Sequence, residues 1–295
     1  MSRIGIRAGR FPWINIVLFV LTCLSTSLVG TLLMSDFNNT LSGDLFEEIG
    51  RIFQNPSMMV AGLPFSVSIM TILFAHEMGH YLTCLYYGID ASLPYFIPAP
   101  TPVGTMGAFI KIRAPIQDRA ALLDVGIAGP IAGFVLAVPA LFIGLMYSRF
   151  EAVSEYAIGQ PLAFKFAAML MGKLPPTGMV LVPHPIVLAS CFGFLATTLN
   201  LLPAAQLDGG HVTYALFPNL HKRISQAIAI VLLPLGIWYW QGWLVWVVLL
   251  VFVLRFRHPT TLDDSVPLER RHFWLGWIGL AMFILCFTPT PIYIP

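Results

Sequence analysis

Apolar residues fall along this chain in long blocks, not in the alternating or one-sided patterns of a water-facing fold. Blocks at about 11–34, 60–87 and 120–147 are each long enough for a membrane-crossing helix, which needs roughly 20 residues. A fourth starts near Ile186, a fifth runs over 224–256 and a last one over about 273–287. Tryptophan and tyrosine collect at the membrane surface, so Trp238-Tyr239-Trp240-Gln241-Gly242-Trp243 divides the fifth block into two short spans with an outer turn between them. One long tilted helix is the competing reading.

Between the second and third blocks, 89–115 is crowded with Pro94, Pro98, Pro100, Pro102, Gly104 and Gly107, which exclude a continuous helix. Residues 105–112 within it read as extended chain. Lipid-exposed open edges do not occur, whereas irregular backbone lining a protein cavity does. The fold predicted is an all-α polytopic membrane protein of about six to seven transmembrane helices, with a re-entrant, β-hairpin-like extended segment after the second. One integral membrane domain over 1–295 is expected, with no internal repeat, and 162–171 is expected to lie in the interface as a short amphipathic helix.

Composition agrees: 57% of residues are hydrophobic, 10% are charged and the mean hydropathy is +0.80. The formal net charge of +2 is carried by short clusters, which excludes the continuous basic patch of a nucleic-acid binder. These clusters report topology. Arg3, Arg7 and Arg10 precede the first block, and Asp36, Asp44, Glu47 and Glu48 follow it, which predicts a cytoplasmic N-terminus. Lys111, Arg113, Arg119, Lys222, Arg223, Arg255, Arg257, Arg270 and Arg271 then mark further cytoplasmic segments, in the inner membrane if the source is bacterial. Cys23, Cys84, Cys191 and Cys286 stand singly in apolar segments and leave the redox compartment undetermined.

Two stretches break the apolar pattern with chemistry. His76-Glu77-Met78-Gly79-His80 places two imidazoles four residues apart on one helix face, where both can bind one metal ion beside a carboxylate able to accept a proton. The second stretch runs from Asn200 through Pro203 to Asp208-Gly209-Gly210-His211, and its proline and glycines should unwind the fourth span around a polar cavity. The loop charges carry both stretches to the cytoplasmic side, so Asp208 is read as the third metal ligand. His211 is an alternative ligand or a hydrogen-bonding neighbour. The glycines of Gly126-Ile127-Ala128-Gly129-Pro130-Ile131-Ala132-Gly133 are read as a flat helix-packing face.

These motifs resemble the site-2 protease family of intramembrane zinc metalloproteases: His76-Glu77-Met78-Gly79-His80 its first, and Asn200-x-x-Pro203-x-x-x-x-Asp208-Gly209 its second. Leu93-Pro94-Tyr95-Phe96-Ile97-Pro98, Gly104-Thr105-Met106-Gly107 and Gly129-Pro130-Ile131-Ala132-Gly133 are similar to the plant plastid and related bacterial branch. The resemblance covers roughly 60–215, which is taken as the catalytic core. It implies one zinc ion held by His76, His80 and Asp208, with Glu77 as base and a transmembrane protein as substrate. It also implies a re-entrant strand around Gly104, Thr105, Met106, Gly107, Ala108, Phe109 and Ile110 that binds the substrate. Asn200 is assigned as a donor to the substrate carbonyl or oxyanion. Many relatives carry a PDZ or nucleotide-binding domain, for which this chain has no room. A helical substrate must be unwound before attack, because its carbonyls are engaged in helix bonds. A metal or proton transporter using the same cluster, and an inactive membrane-protein binder, are the rival readings. Substrate identity, trigger and oligomeric state are not encoded legibly.

Overall fold

A computed structural model describes residues 11–40, 44–152 and 159–291. Arg3, Arg7, Arg10 and Glu155 lie outside the described residues. The structure is mostly helical. Three helices are long and apolar enough to cross a membrane: α1 (Trp13–Phe37), then, after α2 (Leu45–Gln54) and a 3-10 turn over Pro56–Gly62, α3 (Leu63–Tyr86), and later α4 (Arg119–Tyr147). Between α3 and α4, β1 (Tyr95–Pro98) pairs antiparallel with β2 (Thr105–Phe109), with a register irregularity between Phe96 and Pro98.

α1 is inside-out by the standards of a soluble protein. Thr22, Thr26, Ser27 and Thr31 are buried, while Ile14, Val17, Leu21 and Leu24 are exposed. Val67 and Phe74 on α3, and Val135 and Ile143 on α4, likewise face outward. Such a continuous apolar exterior is stable only against lipid, which makes this an integral membrane protein.

After α4 come β3 (Arg149–Ala152), α5 (Leu162–Leu170) and β4 (Met179–Val182), with β3 and β4 forming a second antiparallel pair. The sequence pattern anticipated a helix here but not the hairpin. On α5, Leu162, Lys165, Phe166, Met169 and Leu170 are exposed while Phe164, Ala167 and Ala168 are buried.

α6 (Pro185–Asn200) ends where predicted, an irregular segment follows, and α7 (Asp208–Leu216) begins at the acidic residue itself. α8 (His221–Trp238) and α9 (Gly242–Val248, continued by a π-helical turn over Leu249–Val253) fold back on each other around Leu232, Trp243 and Leu250. They are two helices, not one long one. α10 (Arg270–Cys286) closes the chain.

Contacts between loops fix the two ends of the bundle. At one end Arg149 lies over the Phe37 ring at 4.6 Å and His184 meets the same ring edge-on at 5.1 Å. At the other, Leu262 and Asp263 donate backbone hydrogen bonds to Ile116 and Gln117, and Arg271 lies 3.5 Å from Asp124. The basic segments around Arg119, Arg257 and Arg271 thus gather on one side.

Candidate metal centre

His76 and His80 sit one turn apart on α3, both buried, with Glu77 between them 6% exposed. Their Nε2 atoms are 3.2 Å apart. Asp208 Oδ2 lies 3.3 Å from each, completing a triangle. Among the described residues this is the group of His, Cys, Asp and Glu side chains that converges tightly enough to hold a metal ion.

Several local features bring Asp208 there. The α6 helix stops at Asn200, and Ala205 adopts a left-handed φ of 51°. That unwound turn is held from α8, since Ser225 Oγ accepts from the Ala205 amide at 3.1 Å and His221 Nε2 lies 3.1 Å from the Ala205 carbonyl. Gly209 and Gly210 press against the carbonyls of Leu201 and Ala205 so closely that a Cβ at either position would overlap them. The glycine pair therefore lets α7 start directly beside the broken end of α6, with its first carboxylate at a helix N-terminus that favours negative charge.

The donor set fits a tetrahedral cation. Ligand atoms bonded to zinc at about 2.0–2.1 Å stand roughly 3.3 Å apart, which matches the 3.2–3.3 Å separations here. Asp208 Oδ2 is buried and has no hydrogen-bond partner. An orphaned buried carboxylate oxygen is costly, and a cation would satisfy it.

His80 Nδ1 lies 2.7 Å from the Val125 carbonyl on α4. That oxygen can only accept, so it fixes the proton on Nδ1 and leaves the Nε2 lone pair for a metal. Gly129, one turn further along α4, backs His80 Nε2 so closely that a Cβ would overlap it. Neither contact was read from the sequence, where the glycines of α4 look like ordinary packing positions. Gly129 alone carried a sequence signal; Val125 acts through its backbone and carries none.

The remaining site residues divide. Glu77 lies within electrostatic reach of His76, His80 and Asp208, and the Ile110 amide just beyond β2 lies close to its carboxylate. Asn200 Nδ2 lies 3.0 Å from His76 Nε2, so its amide faces the same cavity. On β2, Thr105 is buried while Met106 and Phe109 are exposed, and Thr105 Oγ1 bonds to the Ile97 carbonyl within the hairpin. His211 stays out of the cluster. Its Nδ1 pairs with His258 Nε2 at 2.7 Å, a hydrogen-bond length, and His258 stacks on Tyr214 with centroids 4.3 Å apart.

Fold and site together define a membrane-embedded metalloprotein with a buried His-His-Asp centre. Residues 64–239 match Peptidase family M50, and the chain belongs to that family. It is 28% identical over 81% of its length to "Probable zinc metalloprotease EGY2, chloroplastic" of Arabidopsis thaliana, of which the match covers 44%. It is 25% identical over 95% of its length to "Probable zinc metalloprotease EGY1, chloroplastic" of the same plant, covering 53% of that protein. A third relative, "Probable zinc metalloprotease EGY2, chloroplastic" of Oryza sativa subsp. indica, is 28% identical over 81% of this chain and 45% of its own. The chain spans about half the length of these curated relatives.

Proposed function

We propose that this chain is an intramembrane zinc metalloprotease that hydrolyses peptide bonds within or next to transmembrane segments of other membrane proteins. The observation that carries this reading is the triangle of His76 Nε2, His80 Nε2 and Asp208 Oδ2, each side 3.2–3.3 Å, with Glu77 buried beside it in an apolar helix. The transporter reading has no comparable support: relatives of the matched family are named as metalloproteases.

In this reading His76, His80 and Asp208 would hold the metal. Zinc bound there would supply a Lewis acid that polarises the scissile carbonyl and lowers the pKa of a water to about 7. Glu77 takes a proton from the attacking water and delivers it to the amide nitrogen as the carbon–nitrogen bond breaks. Asn200 Nδ2, aimed at the same space, donates to the carbonyl oxygen as negative charge develops on it.

The hairpin β1–β2 is the re-entrant element of this reading. Among the described residues β2 pairs as a strand only with β1, and in this reading a substrate segment adds to its other side, toward Glu77. The spans are α1, α3, α4, α6, the α8–α9 pair and α10. The metal centre lies toward the side that carries Arg119, Arg257 and Arg271, which the charge bias makes cytoplasmic.

The test is cleavage of a single-span substrate by reconstituted protein. Wild type should cut. Glu77→Gln should lose cutting while keeping one zinc per chain, and His76→Ala should lose both. A Glu77→Gln protein that still cuts would overturn the proposal.

A further inference from the structure

The first helix carries a polar stripe that the proposed mechanism does not use. α1 lies wholly outside the family-matched residues 64–239. Asn15 Nδ2 donates to the carbonyls of Leu93 at 3.0 Å and Pro94 at 2.9 Å, immediately before β1. One turn on, Phe19 meets Phe96 of β1 edge-on with centroids 5.1 Å apart. Ten residues beyond Asn15, Ser25 Oγ donates to the Gly104 carbonyl at 2.6 Å, immediately before β2, and also lies 3.1 Å from the Thr22 carbonyl.

Asn15 and Phe19 lie one turn apart and Ser25 falls about 80° from Asn15 around the helix, so α1 grips the hairpin at both ends, over about 15 Å of helix. Gly104 makes the far grip close: its φ is +80°, and a Cβ there would stand 2.7 Å from the Ser25 carbonyl oxygen. α1 itself is tied to α3, which carries Glu77, through Thr26 Oγ1 and Ser66 Oγ at 2.7 Å. A chain of contacts therefore runs from the Glu77 helix through α1 to both ends of the hairpin, and returns to Glu77 at the Ile110 amide.

We infer that Asn15 and Ser25 are positioning residues that set the height of the β2 edge against Glu77 and so select which substrate peptide bond is cut. The inference rests on the proposed addition of substrate to β2. A strand advances about 3.3 Å per residue, so a slip of the hairpin by a few ångströms presents a different bond. Loss of the grip changes the choice of bond before it removes the ability to cut, because the metal ligands and Glu77 are untouched.

The test uses the full chain in liposomes with a single-span substrate, and reads the cleaved bonds by mass spectrometry alongside zinc content. Wild type should cut mainly at one bond. Asn15→Leu and Ser25→Ala should spread cutting to bonds one or two residues away and lower kcat/KM at the main bond roughly tenfold or more, with zinc content unchanged. Ser25→Thr, which keeps the hydroxyl, should restore the single bond. Should Asn15→Leu fail to accumulate, Ser25→Ala carries the test, because it leaves the Thr26–Ser66 tie in place. Variants that cut more slowly at the same bond only, or at the wild-type rate, would overturn the inference while leaving the protease reading intact. A wild-type protein that cuts nothing would overturn both.

Discussion

The carbonyl of Val125 and Nδ1 of His80, 45 positions apart in the chain, stand 2.7 Å apart, which holds the proton on Nδ1 and leaves Nε2 turned toward His76 and Asp208. The contact requires α4 to approach α3 very closely. Gly79 and Gly129 supply that closeness, one on each helix, since a Cβ on Gly79 would meet the Ala128 carbonyl oxygen at 2.5 Å. Close helix approach and metal binding therefore depend on the same two glycines.

Gly129→Ala should therefore abolish zinc binding and weaken the packing of α4 on α3. The added methyl falls on His80 Nε2, and a backbone-anchored Cβ cannot rotate away. Bound zinc per chain, measured by elemental analysis, should fall to near zero, and thermal stability of the metal-free protein should fall too, because the overlap forces α3 and α4 apart and outweighs the gain in helix propensity. Gly133→Ala should be milder, since its Cβ would stand 3.3 Å from His76 Cβ and Nδ1.

Asp208→Asn keeps the shape of the third ligand and removes its charge. Removal of zinc by a chelator should inactivate the wild type, and added zinc should restore it. The substitution should raise the zinc concentration needed for restoration at least about 100-fold, because a neutral amide oxygen replaces an anion beside two neutral imidazoles. Titration of apo-protein with zinc, followed calorimetrically, gives the comparison directly.

Much of the metal centre was legible because its residues are costly where they stand. Two histidines, a glutamate and an aspartate in apolar helices have no ordinary packing explanation, and the proline and glycines before Asp208 signalled the broken helix in which it sits. The supports were not legible. Val125 acts through a backbone oxygen, which any residue carries, and Gly129 looks like every other small residue on a packed membrane helix. The hairpin of β3 and β4 and the pairing of His211 with His258 depend on contacts between segments distant in sequence, and local pattern does not report those.

His258 ties the loop between α9 and α10 to the helix of Asp208, and this tie should weaken as pH falls. Burial, helped by the His211 and His221 imidazoles, lowers the His258 pKa to about 3, although the Pro259 carbonyl and Asp264 act in the opposite direction. An unfolded histidine titrates near 6.5. Between these values the unfolded chain binds a proton that the folded chain refuses, so stability falls as pH drops below about 6.5 and is unaffected by this group above it. His258→Phe keeps the stack on Tyr214 and removes the titration. Melting curves at pH 7 and pH 5 should show a larger loss for wild type than for His258→Phe; equal losses would remove His258 from the account.

The two ends of the bundle differ in charge, which sets its orientation in the membrane. The basic loops that meet near Gln117, Asp124 and Asp263 lie at one end of the bundle, and the Phe37, Arg149 and His184 cluster lies at the other. In a version with Cys23, Cys84, Cys191 and Cys286 replaced, a cysteine at Arg257 and one at Glu151 should react with a membrane-impermeant maleimide from opposite faces. In intact cells or right-side-out vesicles Glu151→Cys should label at once and Arg257→Cys only after the membrane is opened, because positive charge is retained on the cytoplasmic side. Labelling of both from one face would break the alternating spans on which the shared depth of His76, His80 and Asp208 depends. The reverse pattern would keep the site intact and turn it to the outer side, which would change the face from which water and released peptide reach Glu77.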